Sequence, residues 1–328
     1  MNPDLDTLHE LFELANNIGG DLSLVQASGG NVSIKADDTL VVKASGYRLE
    51  DCGRIEGYVA LRIEQGRTLL AKEPAAPIDE AIVWCGREGS RPSIETSFHL
   101  HVPGRVVAHV HSIGSIAVGL RRDCAELLSS ISLGADVLLV KYAQPGTDLT
   151  AGLLEAGVRS LTGSTVIVLR NHGLLVWAES ASECVRLISE FESKVRTLMQ
   201  PDRAIRDAIE KFLQGVTKNR FKMDFILDPL WLDFLSSHIL VPDQAVFLES
   251  VNISQSINEI GEERSINPVT NTYNFVPSLT NSQREVLAML IALGGFLRTV
   301  DCTQTIDVGQ ALRLTKLESE QYRKSIAK

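Results

Sequence analysis

Residues 165–178 read TVIVLRNHGLLVWA. Each half alternates β-branched and apolar residues as a strand requires, and Asn171-His172-Gly173 between them is turn chemistry, so the stretch predicts two strands joined tightly around a histidine. Further toward the N terminus, RVVAHVHS (residues 105–112) has the same texture and predicts another strand. NVSIK (31–35) and TLVVKA (39–44) flank Asp37-Asp38, which is the pattern of a β-hairpin with a short polar turn. Helical period appears between these strand pairs. Leu5, Leu8, Phe12 and Ala15 share one face before Gly19-Gly20 stops them, and a helix from about Ser182 to Met199 leads into Pro201. Between Pro77 and Val102 the sequence predicts two helical pieces divided by Gly89-Ser90-Arg91-Pro92, with Pro92 suited to a first turn and Ser93 and Glu95 near the start of the second piece. Hairpin-like strand pairs set among separated helices predict an α/β fold with a largely antiparallel central sheet covered by helices.

Beyond Pro201 the texture changes to a charged linker helix, an aromatic patch from Phe225 to Phe234, and a polar loop from Asn267 to Asn281. A final helical pair follows, its first helix opening on a capping-box pattern of Ser282 and Glu285. The expected organisation is therefore a catalytic domain over residues 1–200 and a mainly helical C-terminal extension over 201–328. No internal repeat and no G-x-G-x-x-G fingerprint supports a dinucleotide domain. A formal charge of -9 argues against a nucleic-acid or anionic-membrane binder, whose affinity needs a basic surface field. The first residues are acidic where a signal peptide would be basic, and the most apolar window, Val286 to Leu297, falls far short of the roughly 20 residues that span a bilayer. The cysteines, Cys52, Cys85, Cys124, Cys184 and Cys302, are scattered and never spaced C-x-x-C, so they read as reduced, mostly buried thiols of a cytoplasmic protein.

On a strand, side chains two residues apart point to the same face, so His109 and His111 can converge on one ion. Catalytic zinc takes three protein ligands at about 2.0 to 2.1 Å and leaves a position for water or substrate. His172, at a turn that Gly173 keeps open, is the candidate third ligand. An H-x-H pair alone is weak evidence. Its combination with Glu95, Asn31, Ala44-Ser45-Gly46 and Asn171-His172-Gly173, each in a separate element, is specific.

The motifs SGGNVS (Ser28 to Ser33), ASG (Ser45 and Gly46), PSIE (Pro92 to Glu95), HVH and NHG, in this order over roughly the first 200 residues, resemble the class II aldolase/adducin family. PSIETSFH, KYAQPGTDL and the extension after Pro201 are similar to its rhamnose-utilisation, rhamnulose-phosphate-type subgroup, without the short-chain dehydrogenase domain fused to some members. That resemblance implies retro-aldol cleavage of a phosphorylated ketose, and its reversal. The Zn2+, or another divalent metal, would stabilise the enediolate in place of a Schiff-base lysine. It implies Glu95 as the acid/base, and Ser28, Asn31, Ser45, Gly46 and Ser93 as the phosphate cradle, a role their small turns and donor side chains also suit. Lys43 is a further candidate for anion binding. His99, one turn after Glu95, either orients it or packs the helix, and Asn171 and Arg170 are candidates to hydrogen-bond the outer nitrogens of metal-bound imidazoles. Ile94 departs from the family, standing where the better-known sugar-phosphate aldolases often carry a second serine, and the Glu95 to His109 interval is shorter than in the fuculose-phosphate type. The same scaffold serves ketose-phosphate epimerases, a dehydratase and the non-catalytic adducin module; the family habit of C4 tetramers implies a homo-oligomer.

Overall fold

Strands β1 (Asn31–Ala36), β2 (Thr39–Lys43), β3 (Tyr58–Arg62), β4 (Ile82–Cys85), β5 (Val106–Val110), β6 (Asp136–Val140), β7 (Thr165–Leu169) and β8 (Gly173–Ala178) form one sheet. Its order is β4-β3-β2-β1-β5-β8-β7-β6, antiparallel throughout except where β6 runs beside β7. The computed structural model describes residues 3–73, 77–200, 202–222, 230–263, 270–297, 305–317 and 320–321. Helices α1 (Leu5–Gly19), α2 (Ile63–Lys72), α3 (Thr96–His101), α4 (Ile113–Leu120), α5 (Cys124–Ser129), α6 (Thr147–Glu155) and α7 (Ala181–Met199) cover both faces. The expected α/β fold with a largely antiparallel sheet under helices is the fold observed.

The two-residue period decides which helix each strand residue meets. Val106, Ala108 and Val110 pack with Leu11 and Leu14 of α1 and Leu187, Ile188 and Phe191 of α7 in one core. Val107 turns the other way, joining Phe98 of α3, Leu149 of α6 and Trp177. His109 has the parity of Val107, and its ring meets Phe98 edge-on at a centroid distance of 5.8 Å. The pleat thus delivers both His109 and His111 to the α3 side.

The C-terminal part contains α8 (Arg203–Val216), α9 (Trp231–Ser237), α10 (Pro242–Leu248), α11 (Asn281–Leu293) and α12 (Val308–Thr315), with a small sheet of β9 (Phe221–Lys222), β10 (Ile257–Glu263) and β11 (Thr270–Phe275). Phe212, Trp231, Phe275 and the buried residues of α11 enclose a second core that also takes in Ile113, Ile116, Ala117 and Leu120 of α4. Helix α4 is therefore wedged between the main sheet and the C-terminal helices. Among the described residues no helix is long and apolar enough to cross a membrane.

Four local readings need correction. The first helical piece expected after Pro77 is a single turn at Asp79–Ala81 followed by strand β4, because a four-residue apolar run carries no distinguishing period and β3 offers it a paired edge. Pro92 does not open a helix; it bridges to Ala44, and α3 begins at Thr96 with Glu95 as N-cap. The capping box of α11 uses Thr280 and Gln283 instead of Ser282 and Glu285. Glu285 is drawn away by Arg48, whose Nη2 donates to it at 2.8 Å, and by the Ala27 N–H at 2.7 Å. The expected polar loop from Asn267 to Asn281 contains β11, whose Phe275 reaches the second core. Residues 267–269, the start of the aromatic patch at Phe225, and Cys302 lie outside the described residues. Cys52, Cys124 and Cys184 are buried free thiols, and Cys85 is half-buried.

One buried carboxylate fixes where β5 becomes α4. Ser112, the N-cap of α4, makes no side-chain cap bond; the N–H groups of Gly114 and Ser115 instead donate to Glu192 on α7, both at 3.1 Å. Arg196 balances that carboxylate at 3.2 Å. Since Ser112 directly follows His111, this contact also sets the end of the histidine strand. Replacing Glu192 with Ala leaves two buried donors unmet and is expected to lower unfolding stability by about 1 to 3 kcal/mol, measured by urea denaturation. An unchanged midpoint would remove Glu192 from the account of this junction.

Candidate metal centre

His109 sits within β5, opposite Leu175 of β8, while His111 is one residue past the end of β5 and His172 immediately precedes β8. The close pairing of β5 and β8 therefore brings all three imidazoles to one edge. A side chain on Gly173 would put its Cβ 2.2 Å from the carbonyl oxygen of Val110, so a glycine is required for the β8 turn to come this near. Asn171 takes a left-handed φ of 57°, a conformation that asparagine tolerates. Glu95 approaches from the start of α3. One donor atom from each of Glu95, His109, His111 and His172 lies within 4.8 Å of the others, and all four residues are buried.

The protons at this point can be counted. His109 Nδ1 lies 2.9 Å from the carbonyl oxygen of Leu174, which only accepts, so Nδ1 carries the hydrogen and Nε2 a lone pair. His111 Nδ1 donates to the Asp243 carboxylate at 2.7 Å, which leaves its Nε2 directed at His109 Nε2, 3.2 Å away. Two such nitrogens repel unless a proton or a metal ion lies between them. His172 Nε2 is 3.3 Å from Glu95 Oε1, and His109 Nε2 is 3.5 Å from Glu95 Oε2. Two donors bound at about 2.0 to 2.1 Å to one tetrahedral ion stand about 3.3 Å apart. The spacing and the three-nitrogen, one-oxygen donor set therefore fit a divalent cation, zinc among them.

A hydrogen-bonded chain aims Glu95. Asn31 Nδ2 donates to Glu95 Oε2 at 2.8 Å, so the amide oxygen faces His99, and His99 Nε2 must be the donor to it. His99 Nδ1 is then left to accept from Ser33 Oγ at 2.7 Å. His99 thus reaches Glu95 through Asn31, and it also stacks on Phe98 with centroids 4.5 Å apart. Asn31, expected in the phosphate cradle, gives an amide hydrogen to Glu95 and lines the same cavity.

Ser28, Lys43, Ser45, Gly46, Ser93 and Ile94 line the same cavity as Glu95, His111 and His172. Gly46 has the left-handed φ of 82° that its turn demands, Ser28 Oγ has no protein hydrogen-bond partner, and Ser93 Oγ accepts from the Glu95 N–H at 3.3 Å. Lys43 is buried and donates to the carbonyl oxygen of Ser28 at 3.3 Å. His101 stands apart, bonded to the Ser97 carbonyl oxygen. The candidates for the outer imidazole contacts are corrected: Asn171 donates to the Leu240 carbonyl oxygen and Arg170 to that of Arg121, while Leu174 and Asp243 serve the rings. Sequence reasoning also missed Pro242, Asp243, Leu314 and Glu320, all wall residues from the C-terminal part. Nothing local marks them, because Asp243 and His111 are 132 positions apart.

Residues 9–199 match the family described as Class II Aldolase and Adducin N-terminal domain. The chain is 24% identical over 218 residues to the uncharacterized oxidoreductase YuxG of Bacillus subtilis (strain 168), covering 62% of this chain and 30% of that protein. It is 25% identical over 121 residues to a methylthioribulose-1-phosphate dehydratase of Exiguobacterium sibiricum, covering 33% of this chain and 59% of that one. The match thus spans less than two thirds of either relative. A solved N-terminal class II aldolase domain of a conserved protein from Thermoplasma acidophilum superposes with a TM-score of 0.49 at 22% identity, covering 61% of this chain and 97% of that one.

Burial pushes His172 down to about 3 and holds His109 below its ordinary value, so both are neutral at pH 7. Burial opposes ionisation of Glu95, but the charge that His109, His172 and His111 carry when protonated, with the Asn31 amide hydrogen bond, favours it more and brings the carboxyl down to about 2. In each case the unfolded chain binds the proton more readily than the folded one. Stability should accordingly fall with pH, beginning near 6.5 for the histidines and steepening below 4.5 as Glu95 joins them. Calorimetry of the chelator-treated protein from pH 7.5 to 4 tests this, and a melting temperature independent of pH would contradict it.

Proposed function

The chain belongs to the class II aldolase and adducin family, and from that premise we propose a divalent-metal-dependent lyase that cleaves, and in reverse forms, a carbon–carbon bond in a ketose phosphate. The observation that carries the reading is the convergence of Glu95 with three imidazoles on one buried point. His109, His111 and His172 would hold the ion, with zinc the metal best matched to nitrogen-rich donors. A divalent ion held there would supply Lewis acidity toward the substrate carbonyl and the charge that develops next to it.

The protein's own part is proton handling and placement. Asn31 holds Glu95 Oε2, whereas Glu95 Oε1 has no protein hydrogen-bond partner, so Oε1 is the atom that takes and returns a proton. The ionised state of Glu95 suits it to begin as a base. Ser28, Ser45, Gly46, Ser93 and Lys43 would receive the phosphate, combining hydroxyl and backbone donors with one buried ammonium. Ile94 replaces a donor with an apolar contact beside that cradle and so narrows the substrates that fit. The cavity measures about 20 Å³, enough for one water molecule, so a ketose phosphate enters only when a wall moves.

The experiment combines metal analysis with turnover. Protein purified under reducing conditions without chelator is expected to carry about one divalent ion per chain, and His109→Ala and His172→Ala to lose it. Glu95→Gln should retain metal on the three histidines while kcat for aldol cleavage falls by about 10²- to 10⁴-fold. A wild type that binds no divalent metal sinks the reading. Because one relative bears a dehydratase name, the ketose-phosphate panel is also assayed for water loss and for epimerisation. Either activity without carbon–carbon cleavage would replace the lyase assignment while keeping the metal.

A further inference from the structure

The C-terminal part touches the candidate centre at one residue whose chemistry bears directly on a metal donor. Asp243 lies in the first turn of α10, is 2% exposed, and accepts from His111 Nδ1 at 2.7 Å. It stands outside residues 9–199, so the family match assigns it nothing. Accommodation of the pair is built into the other side of the site as well: a Cβ on Gly29 would lie 2.7 Å from His111 Nδ1 and 3.0 Å from Asp243 Oδ2. Only a glycine lets the SGG turn pass over this hydrogen bond.

We propose that α10, with the stretch 240–243 that opens it, forms a working part of the metal centre, with Asp243 the positioning residue that fixes the tautomer and aim of His111. The proposal rests on the metal-centre reading above. Three ring environments differ. His109 is oriented from within the sheet by the Leu174 carbonyl oxygen, and His172 Nδ1 has no protein hydrogen-bond partner. His111 lies beyond the last residue of β5, where ladder pairing no longer constrains it, and Asp243 supplies the constraint. By accepting the Nδ1 hydrogen, the carboxylate keeps the lone pair on Nε2 and turns it toward His109 Nε2. Its negative charge also strengthens His111 as a donor to a cation.

The stretch that carries Asp243 is anchored for this task. Gln244 ties its neighbours together, accepting from the Leu240 N–H at 2.8 Å and donating to the carbonyl oxygens of His238 at 2.7 Å and Leu235 at 3.1 Å. Pro242 pre-sets the helical first turn behind a Val241 N-cap. Leu240 accepts from Asn171 at 2.9 Å, so the same short stretch grips both the His172 turn and His111. Farther along, Glu285 on α11 binds Arg48 and the Ala27 N–H, tying the C-terminal part to the residue before Ser28.

The test compares the wild-type chain, Asp243→Asn, Asp243→Ala and Trp231→Phe, each stripped with chelator and titrated with Zn2+ or Co2+ alone. Trp231→Phe is the control for loosening the C-terminal core, since it removes the hydrogen bond to the Leu290 carbonyl oxygen within that core. Asp243→Asn keeps size and is expected to bind Zn2+ about 10- to 100-fold more weakly, with a changed visible spectrum of bound Co2+. Trp231→Phe should match wild type in affinity and spectrum. Wild-type affinity and spectrum in Asp243→Asn would overturn the proposal, as would an equal loss in Trp231→Phe, which would mark a merely structural role. If Asp243→Ala does not fold, Asp243→Asn still decides. Uptake of no metal by wild type would overturn both readings, whereas wild-type binding unaffected by Asp243→Asn would overturn this one alone.

Discussion

Two imidazole nitrogens facing each other at 3.2 Å, with both outer hydrogens already donated elsewhere, must be held together against their own repulsion. A carboxylate at 3.3 and 3.5 Å from the neighbouring nitrogens adds a further acceptor to the same point. Free side chains would not collect this way. The antiparallel pairing of β5 with β8 does the collecting, because the ladder hydrogen bonds and apolar contacts of the sheet interior fix the strand end at which the histidines meet. A cation at this point would resolve the conflict by accepting the facing imidazole lone pairs. The rest of the architecture answers the need for rigidity here, from Gly173 letting the strands close to Glu192 fixing the start of α4.

Much of this was legible because it depends on local pattern. Strand parity places His109 and His111 on one face whatever the remainder of the chain does, and TVIVLRNHGLLVWA can hardly be other than two strands about a turn. The sheet and its helical cover follow from the same alternation. Failures occurred where two local patterns were equally good and a distant partner chose between them. Ser282 with Glu285 and Thr280 with Gln283 both spell a capping box, and Arg48 decides by taking Glu285. IVWC is too short to declare its period, and an open edge of β3 makes it a strand.

The centre itself divides along the same line. Glu95 and the three histidines are announced by their motifs, whereas the groups that set their protons are not. Leu174 acts through its backbone, so its side chain carries no signal; Asp243 is an ordinary acid at a helix start, a position where the helix dipole already accounts for it. Asn171 shows the converse. Its place beside His172 suggests a partner for an imidazole, yet the left-handed turn carries its amide away to Leu240. Adjacency in sequence is a poor guide at a turn, where consecutive side chains diverge.

These connections would link the affinity of the candidate centre for an ion thermodynamically to C-terminal packing. Ions that bind the folded centre and not the unfolded chain stabilise whatever the centre requires to be folded, by an amount that grows with concentration over the dissociation constant. Helix α4 shares its core with α11 and begins two residues after His111, and the stretch 240–243 bonds to Asn171 and to His111, so stabilisation by a bound ion would reach the C-terminal core as well as the sheet. The linkage runs both ways: loosening α10 releases Asp243 from His111 and frees the ring to turn its lone pair aside. The cavity walls Leu314 and Glu320 come from the same part of the chain as Asp243. A wall that opened by displacing α10 would loosen the donor it guards. Helices α10 and α12 pack on one another through Ala245 and Ala311, so a displacement of the wall that carries Leu314 is felt by the helix that carries Asp243.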